Sequence, residues 1–338
     1  MDVEPSRTVQ GARVWDHTAP GFVALSVWTE RIAGRGEDAD PLIVVHWPTA
    51  RGLIAVFDGV GGAGRASAGS TPVGQERTQA WVAARRLRGL VEEWFVDGPS
   101  VDALHDKVVT RLAADITVRS RMRGRIHREF PSTLAALAFT MRPDGVRWDV
   151  VWAGDSRCYV VEPDRGLQQL SLDDVDGSDA LDLLLQDPPM TNMVSVDREF
   201  ALNRWRGQAP APCVLVTATD GFFGYVSTPA QFEHVLLDTL WFARDPAHWG
   251  ELLAERVAAY TGDDASLAVV ALGFKGFGNL RASFGERRNL LRHEHDEPLR
   301  AAADRGEDAV RTARSDSWRK YRGGYEQRLA MVVGEDDR

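Results

Sequence analysis

The chain has 338 residues, 44% of them hydrophobic and 26% charged, a globular composition long enough for one large domain or two small ones. Its net charge of -9 argues against a general nucleic-acid surface, and no apolar run approaches the roughly 18 residues of a membrane helix. The start, "MDVEPSRTVQ", lacks the basic-then-apolar order of a secretory leader, and two cysteines, Cys158 and Cys213, are too few for a disulfide framework. Each cysteine lies in an apolar strand-like run, so buried thiols and a cytoplasmic location are expected.

In chain order, "FVALSVWTER", "LIVVHW" and "GLIAVFDG" read as strands rich in β-branched and aromatic residues. Residues 73–95 and 101–122 then carry apolar residues at helical spacing without internal proline. Strands return as "STLAALAFT", "VRWDVVWAG", "RCYVVE" and "LQQLS", with turn residues at each corner. Residues 171–212 are acidic and irregular around a short helix-like "ALDLLLQ". The strand "CVLVTAT", helices near 229–244 and 246–260, and a last strand "SLAVVALGF" complete the body. Meanders separated by helix pairs predict an α+β fold with helices layered on a two-sheet core.

Composition changes near "KGFGNL". Residues 276–338 hold 13 basic and 12 acidic side chains and are nearly neutral, whereas residues 1–275 carry a net -10, so a body over 1–275 and a charged helical extension over 276–338 are expected. In the extension, Trp318, Tyr321, Tyr325 and Leu329 recur at spacings that share one helix face. That stripe either folds back on the body or docks a partner.

One feature recurs at strand ends. "AVFDGVGG" runs an apolar strand into Asp58, "VVWAGDSR" ends at Asp155, and "CVLVTATDGF" ends at Asp220. "TGDDAS" places Asp263 and Asp264 just before a strand, and "GEDAD" places Glu37 and Asp38 before another. Any one acidic residue here is an ordinary turn former. Gathered together, they would repel one another and raise each other's pKa unless cations compensated. Hard carboxylate oxygens without a Cys or His pattern select Mg²⁺ or Mn²⁺ over zinc. Glycine after the aspartate leaves room for close approach, so Gly59 is expected to offer its carbonyl beside Asp58.

"FDGVGG", "AGDSRCY", "TATDGF" and "GDDAS", in this order, resemble the signature motifs of the type 2C metal-dependent protein serine/threonine phosphatases, and "GEDAD" resembles that family's first acidic motif. The similarity spans about residues 22–274. It implies a four-layer α-β-β-α sandwich, two antiparallel sheets flanked by helix pairs, with two Mn²⁺ or Mg²⁺ ions at one edge. The implied ligands are Asp38, Asp58, the Gly59 carbonyl, Asp220 and Asp263, with Asp155 holding a weaker third ion and Glu37 and Asp264 supporting them. The implied reaction is attack on phosphoserine or phosphothreonine by hydroxide generated between the metals, with no covalent phosphoenzyme. The implied partner is a phosphoprotein substrate, in opposition to a serine/threonine kinase.

The pattern departs from the family in three places. Gly36 stands where asparagine is frequent before the acidic pair, and Val60 stands where some members carry a histidine. The phosphate-clamping arginine has two candidates, Arg35 ahead of Arg31, with Ala33 at the spacing otherwise expected. Ser132 and Thr133 are expected to pack and hydrogen-bond. Two other functions remain open on sequence: an idle phosphatase-like binding module, and a small-phosphoester hydrolase using the same centre.

Overall fold

The computed structural model describes residues 11–70, 74–98, 100–114, 128–176, 179–186 and 188–329. Strands β1 (Arg13–Ala19) and β2 (Phe22–Thr29) form a hairpin, β3 (Leu42–His46) and β4 (Arg51–Val56) another, and β5 (Ser67–Ser70) and β6 (Glu76–Thr78) a short ribbon. Helices α1 (Gln79–Asp97) and α2 (Val101–Ala114) follow, then β7 (Leu134–Arg142), β8 (Gly145–Ala153), β9 (Arg157–Glu162) and β10 (Gly166–Gln169). Next come α3 (Ala180–Gln186), β11 (Asn203–Ala209), β12 (Cys213–Ala218), α4 (Asp220–Phe223), α5 (Pro229–Phe242), α6 (Pro246–Ala258) and β13 (Ala265–Leu272). The chain continues through α7 (Phe277–Ser283), α8 (Gly285–Leu291), a π-helical turn (Arg292–Asp296), α9 (Glu297–Ala303) and α10 (Glu307–Tyr325).

The strands make two antiparallel sheets, ordered β1-β2-β13-β12-β9-β10 and β11-β8-β7-β4-β3. Period-two alternation sends neighbouring residues to different layers. Val23, Leu25 and Val27 of β2 and Leu267, Val269 and Ala271 of β13 join one core under α5 and α6, while Ala24, Ala268, Val270 and Leu272 face the second sheet. Leu53, Ala55 and Phe57 pack under α1 and α2, while Ile54 and Val56 point between the sheets. Because both faces of each sheet are covered, these strands are apolar throughout rather than half polar. The four layers expected from the resemblance are therefore present, as helices, sheet, sheet and helices. Cys158 and Cys213 are both fully buried, and burial raises both thiol pKa values, that of Cys213 to about 12. Among the described residues no helix is long and apolar enough to cross a membrane.

Several boundaries differ from the sequence reading. Helix α1 starts at Gln79, not 73, because residues 76–78 pair as β6 and Thr78 caps the helix, its side chain accepting from the Trp81 N–H at 3.0 Å. The last residues of the second expected helix, 115–122, lie outside the described residues. Strands β1 and β11 had no apolar signature. β1 is a largely exposed edge, and β11 is held by Arg204 and Arg206 on Asp149 of β8.

The composition break at 276 is not a break in packing. Leu280, Phe284, Leu291, Trp318, Tyr321 and Tyr325 belong to the same core cluster as Tyr159, Phe223 and Phe232. The stripe on α10 thus folds back on the body, and Leu329 beyond it is buried too. Charged contacts reinforce the seam. Arg287 donates two 2.8 Å hydrogen bonds to Glu233, which is fully buried, Tyr321 also donates to that carboxylate, and Arg288 grips Asp238 at 2.9 and 2.7 Å.

Candidate metal centre

Antiparallel register fixes where the strand-end aspartates fall. In the first sheet Thr29 pairs with Ala265, Leu267 with Ala218, and Ala218 with Arg157. The loop after β2, the turn into α4, the start of β13 and the β8–β9 turn therefore share one end. In the second sheet Leu42 pairs with Ala55, Val56 with Ala135, and Leu134 with Ala153, so the residues after β4 and after β8 also share one end. Loop bonds join the two ends: the Ala39 N–H donates to the Phe57 carbonyl at 3.0 Å, and the Thr133 and Ser156 hydroxyls lie 2.7 Å apart.

Asp38 is 1% exposed, and its carboxyl lies within hydrogen-bonding reach of that of Asp58. Burial raises the pKa of both, and the charges of Asp38, Asp220 and Asp155 raise that of Asp58 further. Four of the expected carboxylates thus act on one another electrostatically. Asp155, Asp220 and Asp263 also line a single cleft of about 310 Å³, together with Arg157, Asp173, Phe223 and Tyr225.

The surrounding polar groups hold the backbone of this cluster in place. The Thr133 hydroxyl accepts from the Asp58 N–H at 3.2 Å, and the Ser132 hydroxyl donates to the Asp58 carbonyl at 2.9 Å, the hydrogen-bonding role expected of that pair. Thr219 donates to Asp38 Oδ2 at 3.1 Å and accepts from the Ser266 N–H at 2.9 Å. Asp264 accepts from the backbone N–H of Arg31 at 2.8 Å and of Glu37 at 2.6 Å, and so locks the first acidic loop onto β13. Glu37 accepts from the Thr78 hydroxyl at 2.7 Å, and its carbonyl accepts from Arg85 at 3.0 Å. Both Glu37 and Asp264 therefore support the cluster through its loops.

The glycines that directly follow Asp58 and Asp220 are required by packing. A Cβ on Gly59 would lie 2.7 Å from the Glu37 carbonyl oxygen and 2.9 Å from that of Ala80. A Cβ on Gly221 would lie 1.9 Å from the Asp264 carbonyl oxygen. The loops carrying Asp38, Asp58, Asp220 and Asp264 can approach this closely only where side chains are missing.

The two arginine candidates do not line that cleft. The side chain of Arg31 is exposed, and Arg35 lines a separate groove that also contains Glu37. A third arginine, Arg157, went unremarked in the sequence. It is 2% exposed, bound in bidentate fashion to Asp173, donates to the Tyr325 hydroxyl at 3.2 Å, and forms part of the cleft wall. Its position in "GDSR" was visible, but its burial was not, because both partners lie outside the motif.

The donor set suits a hard divalent cation: carboxylate and carbonyl oxygens, with no cysteine or histidine lining the cleft. Among the described residues no three such side chains close into a finished direct cage, so the grouping is electrostatic and loop-borne.

A family model described as protein phosphatase 2C matches residues 37–257, well over half of the chain, and the chain belongs to that family. Its class is accordingly that of the protein serine/threonine phosphatases. Among solved structures, the serine/threonine phosphatase Stp1 from Staphylococcus aureus is 14% identical with a TM-score of 0.51, over 80% of this chain and 99% of that one. A bacterial serine phosphatase is 14% identical with a TM-score of 0.51, over 77% and 97%. The Mycobacterium tuberculosis phosphatase PstP/Ppp is 17% identical with a TM-score of 0.49, over 77% and 98%. At these identities the likeness is one of fold. No curated protein matches the sequence significantly.

Proposed function

We propose that this protein hydrolyses phosphoserine and phosphothreonine on proteins in the cytoplasm, in opposition to a serine/threonine kinase, with two Mn²⁺ or Mg²⁺ ions held by Asp38, Asp58, the Gly59 carbonyl, Asp220 and Asp263. Asp155, acting electrostatically on Asp58, would hold a weaker third ion. The observation that carries the reading is the register of the two sheets, which brings strand-end carboxylates from five segments to one end of the sandwich.

When bound, the divalent cations supply a water acidic enough to act as nucleophile near neutral pH and positive charge to offset the phosphoryl oxygens. The chain's own residues do the rest. Asp38 and Asp58 share one corner, where burial and mutual repulsion disfavour their charged forms and a bound cation would offset both effects. Thr219, Thr133 and Ser132 fix the orientation of the two acidic loops, and Asp264 ties Glu37 and Arg31 to β13. Arg35, on the rim beside Glu37, is the leading candidate to receive the phosphate, with Arg31 second.

The test is hydrolysis of a phosphothreonine peptide by full-length protein. Activity should appear with Mn²⁺, vanish with EDTA and return when Mn²⁺ is restored. Turnover that EDTA leaves untouched would defeat the two-metal reading.

A further inference from the structure

Beside the acidic corner lies a second groove of about 500 Å³, lined by Arg35, Arg65, Arg77, Glu37, Glu76 and Trp81, among others. In a chain with a net charge of -9, three guanidinium groups against two carboxylates leave this groove with a local excess of one positive charge.

The groove is built around Arg77. Its Nη1 donates to the Gly34 carbonyl at 3.0 Å and its Nη2 to Gln75 at 2.7 Å, which pins the loop carrying Arg35 to the β5–β6 ribbon. Its guanidinium lies 4.4 Å from the centroid of the Trp81 ring, which Arg85 covers at 4.0 Å. The Nε of Arg77 is buried and donates to no atom of the described residues. Arg35 and Arg65 are exposed, and neither side chain makes a hydrogen bond or ion pair to the described residues, although Arg65 feels the Glu37 charge. Three arginines share the groove with two carboxylates, Glu37 and Glu76, and Glu37 is already bonded to Thr78, so the lining keeps an excess of positive charge that a bound anion would offset.

We infer that this groove is a receptor for a second anionic group on the phosphoprotein substrate, so that the enzyme prefers phosphopeptides with acidic residues flanking the phosphorylated one. The inference rests on the phosphatase reading and names its substrate class. Glu37 belongs to both the groove and the first acidic loop, so a peptide whose phosphate sits at the carboxylate cluster can reach Arg65 and Arg77 with a neighbouring side chain. Planar guanidinium groups fit carboxylates in bidentate fashion. The acidic cluster alone would repel such a peptide, so the arginines also offset that repulsion.

The test uses full-length protein with Mn²⁺ and two fluorescent phosphothreonine peptides of equal length, one with glutamates and one with glutamines around the phosphothreonine. Anisotropy gives binding, and phosphate release gives kcat and KM. The acidic peptide should bind and react about five- to tenfold better, mainly through KM, and the preference should shrink at high salt. Arg65→Ala should bring the ratio of the two peptides toward one, and Arg65→Lys should keep part of it. Equal affinity for the two peptides in the wild type, or a ratio that Arg65→Ala leaves intact, would overturn the inference. If neither peptide is hydrolysed but the acidic one still binds better in an Arg65-dependent way, the groove stands and the catalytic reading falls.

Discussion

Arg287→Met tests whether the C-terminal helices belong to the folded body. Glu233 on α5 is 0% exposed, and its partners across the seam are Arg287 of α8 and Tyr321 of α10. Burial alone would lower the Arg287 pKa, yet its bonds to Glu233 hold it above its ordinary value. Removing the arginine leaves a buried carboxylate with one phenol donor. Breaking a buried ion pair from one side costs about 3–5 kcal/mol, a large part of the roughly 5–15 kcal/mol that holds a typical domain folded. At about 2–4 °C per kcal/mol for a chain above 150 residues, Tm should fall by roughly 6–20 °C. Thermal unfolding followed by tryptophan fluorescence measures the shift in Tm, and urea denaturation the loss of free energy. The double variant Arg287→Met/Glu233→Met should recover most of the loss, because the uncompensated charge goes with the carboxylate. A single variant within about 1 kcal/mol of wild type would refute the reasoning and detach the extension from the body.

Other consequences follow from particular contacts. Gly221→Ala places a Cβ 1.9 Å from the Asp264 carbonyl, which displaces the Asp220 turn; phosphopeptide kcat/KM should drop by about tenfold or more, and an unchanged rate would contradict the packing role of that glycine. Burial lowers the pKa of His234, against the pull of Asp296 and Asp238, and burial followed by the Arg287 charge lowers that of His295. Unfolded histidine takes up its proton near pH 6.5 while these two resist it, so stability should be full above that value and fall as pH drops below it. The variant His234→Gln/His295→Gln should flatten the Tm slope between pH 7 and 5.5, and an unaltered slope would exclude them. Both thiols are buried with raised pKa values, so the native protein should resist iodoacetamide until urea unfolds it. Rapid labelling in the native state would place Cys158 or Cys213 elsewhere.

The sequence was most informative where one residue carries its meaning locally. Strand-end aspartates followed by glycine were readable because an apolar run sets strand direction, and direction sets which ends can meet. The central strands and α5 and α6, capped by Thr228 and Asp245 before proline, were readable for similar reasons. Strands β1 and β11 were not, since an exposed edge needs no apolar alternation and gains its place from neighbours. The stripe of Trp318, Tyr321 and Tyr325 announced a buried face but not its partner: Tyr159 lies more than 150 residues away, and only folding brings them together. Arg157 was hidden for the same reason, its partners Asp173 and Tyr325 lying on other segments. Composition suggested a boundary at 276 because α7 to α10 carry many charges, yet Arg287 and Arg288 spend theirs on Glu233 and Asp238 across the seam.

The claim on which the account turns is the proposal that Asp58 helps to hold the divalent cations. Isothermal titration of Mn²⁺ into wild type and Asp58→Asn, each full length and verified as folded by circular dichroism, tests it most directly. The account predicts saturable binding in the wild type and its loss or severe weakening in the variant. Equal Mn²⁺ binding by the two proteins would contradict it.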